Sequence, residues 1–340
     1  MMTETNTRVL LKSRPEALPT SDNFELDRRP VAELGDGEIL VRNVYLSVDP
    51  YMRGRMNEVK SYIPPFVVNE PLEGGVVGQV MASRNDGFSE GDWVSGMLRW
   101  ENYSVSDGVG LTKVDPGIAP LSYHLGILGM PGMTAYVGLV GVGEVQEGEH
   151  VFVTAASGAV GSVVGQIACN LGCRVVGTAG SDEKVAFLTQ ELGFDAAFNY
   201  KTVDSPIAAV RRACPEGIDV HFENVGGGLF EAAILNMRPN GRIALCGMIA
   251  DYNTPFEELP PGPRGLFVLI GRSVKMQGFI VFQHPELCKE WVVRAAGWLR
   301  EGKLVYRESV AEGLEAAPRA FLGLMKGENF GKQIVKLADE

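Results

Sequence analysis

Seven small residues in a row, Ala155-Ala156-Ser157-Gly158-Ala159-Val160-Gly161, are the first feature of this chain whose type and spacing suit chemistry. Without a Cβ, Gly158 lets backbone N–H groups approach phosphate oxygens, and Gly161 lets a following helix lie against its own strand. The N-terminus of that helix would add unpaired donors and a partial positive charge. Measured against G-x-G-x-x-G, the first glycine is replaced by Ala156. Such a turn also occurs as a plain connection, so its meaning depends on what flanks it. Here an apolar β-branched run, His150 to Thr154, precedes it, and an apolar helical pattern follows as far as Leu171-Gly172. Arg174 to Thr178 is the next strand. The whole is a βαβ unit of the kind that holds a dinucleotide pyrophosphate.

The end of that second strand selects the cofactor. An NAD site usually carries an acid about 20 residues after the fingerprint, to bind the ribose diol. That position is Ser181, after Thr178-Ala179-Gly180, and no carboxylate stands there. Asp182 and Glu183 read as first-turn acids of the next helix, stabilised by its dipole. Lys184 is then in place to meet a 2′-phosphate as a point charge, although the same residue would serve as a solvated helix lysine. The balance favours NADPH.

The elements that must position these residues form two regions. From Arg8 to Leu125 the pattern is mostly β, with candidate strands at Arg8–Leu11, Phe24–Arg29, Glu38–Val48, Gly75–Ala82, Trp93–Leu98 and Glu101–Val105, which suggests a folded-over barrel. Leu121 to Val145 turns helical, broken at Pro131-Gly132. After the βαβ unit come helix 182–192, strand 196–199, helix 206–213 with Ser205 as N-cap and Pro206 at its first position, strand 218–223, helix 229–236 and strand 242–246. That alternation implies a doubly wound parallel sheet. Pro255 to Gly265 reads as a loop. A strand at 274–281, a helix at 285–300, a strand at 304–308, a helix at 316–325 and a closing segment, Gly331 to Leu337, complete the chain.

Composition bounds the partners. At 340 residues, 45% hydrophobic and 21% charged, the chain has the make-up of a two-domain enzyme. A net charge of −11 argues against nucleic acid or an anionic membrane surface as partner. The five cysteines are odd in number and set among apolar residues, as expected of thiols in a reducing compartment, and a cytoplasmic location follows. Cys169 and Cys173 are four apart and would share one face of the helix that follows the turn, packed on the sheet. Met1 to Pro15 has no long apolar stretch and no run of about 20 apolar residues occurs, so no membrane span is expected.

Ordered motifs along nearly the whole chain carry a resemblance. Ser47-Val48-Asp49-Pro50-Tyr51-Met52-Arg53, the small-residue turn, Gly180-Ser181-Asp182-Glu183-Lys184, Phe194 to Lys201, Glu223-Asn224-Val225-Gly226-Gly227, Leu259 to Pro263 and Asn329-Phe330-Gly331-Lys332 are similar to the prostaglandin reductase and leukotriene 12-hydroxydehydrogenase group. That group belongs to the zinc-free medium-chain dehydrogenase/reductases and includes plant alkenal double-bond reductases and a bacterial curcumin reductase. The resemblance implies a Rossmann domain at 126–301, a GroES-like substrate domain at 1–125 and 302–340, NADPH as cofactor, and a homodimer. It implies that Gly158 and Gly161 approach the pyrophosphate, that Ser181, Lys184 and Tyr200 surround the 2′-phosphate, and that Asn224, Cys246, Phe279, Val281 and Asn329 lie beside the cofactor. Tyr252 matches the group's active-site tyrosine and Tyr51 a wall of the substrate pocket.

Tyr252 suits the implied reaction, reduction of the C=C bond of an α,β-unsaturated ketone or aldehyde. Hydride added at Cβ leaves negative charge on the carbonyl oxygen, and a neutral phenol, with an ordinary pKa of about 10, donates a hydrogen bond to it at pH 7. An ordinary loop tyrosine over apolar surface is the plainer reading. A zinc alcohol dehydrogenase would need a cysteine in the first domain, and residues 1–168 have none. His124, His150, His221 and His284 lack ligand spacing, so no metal is expected. The alternatives left open are an NADPH-dependent quinone or carbonyl reductase and a non-catalytic NADPH-binding protein.

Overall fold

The computed structural model describes residues 5–340. The part of the leader reading that falls on Met1 to Glu4 lies outside the described residues. The chain divides into two compact units. One runs to Leu125 and takes back Glu308–Asn329 and Gln333–Glu340; the other is Gly126–Arg307 with Phe330–Lys332.

In the first unit, β1 (Thr5–Leu11) pairs antiparallel with β2 (Phe24–Pro30). The strands β3 (Ile39–Ser47), β4 (Glu73–Ser83), β5 (Trp93–Arg99), β6 (Tyr103–Ser106) and β7 (Thr112–Lys113) belong to a second, larger antiparallel sheet, with the one-turn helix α1 (Met52–Arg55) between β3 and β4. Val41, Leu46, Met52, Trp100 and Phe321 fill its core. Strand β7 is only two residues long and carries no periodic signal, so the sequence pattern misses it.

The second unit opens with α2 (Met130–Tyr136) and a π-helical turn, Val137–Val142, in place of one long broken helix. A Cβ on Gly138 would stand 2.5 Å from both Phe222 and Phe279, so the glycine lets that wide turn lie on the two rings. Next come β8 (His150–Val153), α3 (Gly161–Asn170), β9 (Arg174–Ala179), α4 (Asp182–Gln190), β10 (Ala196–Asn199), α5 (Pro206–Ala213), β11 (Ile218–Glu223), α6 (Gly227–Asn236), β12 (Met237–Leu245), α7 (Phe267–Gly271), β13 (Lys275–Gly278) and α8 (Pro285–Arg300). All six strands are parallel, in the order β10-β9-β8-β11-β12-β13. Counted within the unit this is 3-2-1-4-5-6, the doubly wound dinucleotide-binding order. Ser205 caps α5 by accepting from the Ala208 N–H at 3.3 Å, with Pro206 in its first turn.

Three expectations need correction. Residues 304–307 are not a strand: the buried Gln166 side chain of α3 takes both backbone groups of Val305, donating to its carbonyl at 2.9 Å and accepting from its N–H at 2.6 Å, so a side chain replaces a strand partner. The strand expected at 274–281 stops at Gly278, and Val281–Gln283 is a 3-10 turn. Cys173 is not on α3, because Gly172, at φ +79°, ends the helix first. The chain then closes with β14 (Glu308–Glu312), α9 (Ala317–Met325) and β15 (Lys332–Lys336), the last pairing antiparallel with β3.

Candidate active site

The strand order reverses between β8 and β11, and in open parallel sheets the ligand crevice lies beyond the strand ends at such a reversal. The small-residue turn leaves β8 here and Glu223-Asn224 ends β11. Ala155 adopts φ +48°, and a Cβ on Gly161 would stand 2.4 Å from its carbonyl, so only glycine fits there. A Cβ on Gly158 would meet nothing closer than that carbonyl at 3.2 Å, which leaves the outer face of the turn open to a phosphate. Gly331 N–H donates to the Ser157 carbonyl at 3.1 Å, so the returning chain braces the turn.

At the end of β9, Ser181 caps α4, its hydroxyl accepting from the Lys184 N–H at 3.3 Å. A Cβ on Gly180 would meet the Tyr200 hydroxyl at 3.2 Å and Lys201 Cε at 3.3 Å, so both side chains fold over this glycine. Burial, and then the charge of Lys201, lower the Lys184 ammonium pKa. A lysine and a phenol thus fold over the strand end that lacks an acid, donors of the kind that suit a phosphomonoester, with the Lys184 charge close enough to be felt by Lys201. Lys184 Nζ also lies 5.9 Å from the Phe330 ring, whose centroid is 3.8 Å from the Arg307 guanidinium carbon. Lys201, Arg307 and Phe330 carry no roles in the sequence reading. Lys201 follows Tyr200 directly, which was a usable signal; Arg307 and Phe330 meet only in three dimensions.

At the reversal point Asn224 is fixed between strands: its N–H donates to Thr154 Oγ1 at 2.9 Å and its amide to the Thr154 carbonyl at 2.8 Å. Cys246 follows β12, its N–H donating to the Glu223 carbonyl at 2.9 Å. Burial, and then the Glu223 charge, push its thiol up to about 12, so Cys246 is a wall and not a nucleophile at neutral pH. Cys246, Gly247, Met248 and Phe279 line an open groove of about 390 Å³. Tyr252 stands beside it, half-buried, its hydroxyl accepting from the Met248 N–H at 3.3 Å. Val281 does not face this groove with its side chain, which is packed with Val137 and Cys288 in a core cluster.

Tyr51 and Asn329 belong to the first unit. The Tyr51 hydroxyl lies 3.9 Å from Met97 Sδ, and burial, with the Asp49 charge, pushes it well above its ordinary pKa. Among the described residues no group of three or more His, Cys, Asp or Glu side chains converges as a metal site would require.

A β-rich first unit and a 3-2-1-4-5-6 parallel sheet with its glycine turn at the reversal define a medium-chain dehydrogenase/reductase. Two family models agree: the N-terminal domain of oxidoreductase matches residues 7–114 and zinc-binding dehydrogenase matches 159–296. The chain belongs to the superfamily's zinc-free prostaglandin reductase group. It is 48% identical to prostaglandin reductase 1 of Mus musculus, covering 96% of this chain and 97% of the other. It is 45% identical to the NADP(+)-dependent 2-alkenal reductase of Nicotiana tabacum, over 98% of each. Among solved structures, CurA of Vibrio vulnificus in complex with NADPH superposes with a TM-score of 0.93 at 43% identity, over 98% of this chain and all (100%) of that one.

Proposed function

We propose that this protein is an NADPH-dependent alkenal/one reductase, saturating the C=C bond conjugated to a ketone or aldehyde. The observation that carries the reading is Tyr252, a phenol standing at a groove walled by Cys246, Gly247 and Phe279 beside the sheet's reversal point. When bound, NADPH supplies the hydride that the substrate Cβ accepts. Gly158 and Gly161 admit the pyrophosphate to the α3 N-terminus, and Ser181, Lys184 and Tyr200, joined by Lys201, hold the 2′-phosphate. Asn224, Cys246, Phe279 and the backbone at Val281 border the nicotinamide. Tyr252 donates its hydroxyl proton in a hydrogen bond to the carbonyl oxygen and stabilises the enolate, whose α-carbon is protonated from solvent. The names of the relatives, an alkenal reductase and a prostaglandin reductase, support this chemistry.

The direct test follows NADPH absorbance with a 2-alkenal and with its saturated aldehyde. Oxidation with the 2-alkenal alone supports the reading, and an alcohol or hydroquinone product would replace it with carbonyl or quinone reduction.

A homodimer accords with the sheet edge. All four residues of β13 are exposed, its outer side carries no strand partner among the described residues, and Phe267, Ile270 and Met276 are exposed nearby in sequence. Sedimentation at about twice the 36.7 kDa chain mass supports the dimer, and sedimentation at the chain mass contradicts it. The five free cysteines suit a reducing, cytoplasmic setting, which thiol titration of protein purified without reductant tests. No helix among the described residues is long and apolar enough to cross a membrane.

A further inference from the structure

Two ionisable groups that the proposed chemistry does not use, His221 and Glu223, are fully buried on β11 at the reversal point. His221 Nδ1 lies 3.1 Å from the Phe152 carbonyl, which can only accept, and Nε2 lies 2.8 Å from Glu223 Oε2. Burial pushes the Glu223 carboxyl up. The His221 charge and hydrogen bond, with the N–H groups of Val225 and Gly226, overcome this and hold it below the usual carboxylate range. The Phe152 carbonyl and the Glu223 carboxyl thus hold the His221 ring by both of its nitrogens. A buried carboxylate is expensive to desolvate and, even when fully hydrogen-bonded, stabilises a fold less than apolar packing of the same volume. It therefore calls for a role other than stability.

The other carboxylate oxygen, Oε1, gathers three donors: the Thr154 hydroxyl at 2.8 Å, Val225 N–H at 2.5 Å and Gly226 N–H at 3.0 Å. It thereby fixes the turn that follows β11. The next segment hangs from that turn by backbone bonds. Cys246 and Gly247 donate to the Glu223 carbonyl at 2.9 and 3.1 Å, Ile249 to that of Asn224 at 3.2 Å and Ala250 to that of Val225 at 2.9 Å. Two residues on is Tyr252, whose hydroxyl returns to accept from Met248 within the same segment. We infer that Glu223, hydrogen-bonded to His221, is a positioning residue that sets the 246–250 segment and through it aims the Tyr252 hydroxyl.

This rests on the proposed enone reduction, and a double-mutant cycle separates the two. Wild type and Tyr252→Phe give the first two corners. A wild type that fails to reduce a 2-alkenal overturns the function itself, and a Tyr252→Phe variant with unchanged kcat overturns both the role of Tyr252 and that of Glu223. Glu223→Gln keeps an acceptor for the turn and a hydrogen-bonding amide facing His221 Nε2, so kcat stays within about threefold. Glu223→Leu lowers kcat at least about tenfold in the wild-type background and by less than about threefold in the Tyr252→Phe background, since residues acting as a unit are non-additive. An equal loss in both backgrounds, or a lower Tm with kcat unchanged, overturns the proposal. If Glu223→Leu does not fold, Thr154→Val removes one of the three donors and gives a smaller loss that must likewise disappear in the Tyr252→Phe background.

Discussion

The Tyr252 hydroxyl lies directly over Gly247, so that a Cβ on Gly247 would stand 3.0 Å from the phenol oxygen. The glycine makes room for a phenol suited to stabilise an enolate. Tyr252→Phe, which removes the donor, is expected to lower kcat for 2-alkenal reduction about 100-fold, the lower end of the range for losing one oxyanion donor. Gly247→Ala crowds the hydroxyl and should lower kcat in the same direction but by less. Steady-state kinetics of both variants checks this, and an unaltered kcat in Tyr252→Phe removes the phenol from the mechanism.

Lys184 and Lys201 repel one another until an anion joins them, which is how Lys201 contributes to the lowered Lys184 pKa. Each alanine variant should therefore weaken NADPH far more than NADH, by about 10- to 100-fold for Lys184→Ala, from the 1.5–3 kcal/mol of a charge-assisted hydrogen bond. Titration of both cofactors against each variant measures it. Equal losses for the two cofactors would place the 2′-phosphate elsewhere.

The thiols give a pH dependence with a definite sign. Burial pushes Cys214 up to about 12, far above the value of about 8.5 that a thiol has in an unfolded chain. The folded state therefore keeps its proton while the unfolded state loses it, and stability falls as pH rises from about 8.5 toward the folded value. Cys169 and Cys246, also at about 12, and Cys173, at about 11, act in the same direction. The urea midpoint should drop between pH 8 and pH 10, and Cys214→Ala should flatten that slope. A midpoint that rises over this interval contradicts the burial of these thiols.

Much of this was legible in sequence because it is local. The turn Ala155 to Gly161, the missing acid at Ser181 and the cap at Ser205 each follow from a few adjacent residues. Hence strands 196–199 and 218–223 and helices 206–213 and 285–300 lie where the pattern places them. What was not legible depends on partners distant in the chain. The extended segment 304–307 resembles a strand until Gln166, 139 residues away, takes its backbone groups. Val281 sits in a motif beside the cofactor segments, yet its side chain belongs to the core. His221 has no ligand spacing and reads as an ordinary strand polar residue; only the fold shows that both its nitrogens face acceptors.

The central claim is that hydride reaches a carbon of the C=C bond and not the carbonyl carbon. The most direct measurement gives the enzyme a 2-alkenal and NADPH deuterated at the transferring nicotinamide position, then locates the label by NMR. A saturated aldehyde with deuterium at Cβ and the α-carbon hydrogen drawn from solvent is expected. An allylic alcohol with deuterium on the former carbonyl carbon would contradict it.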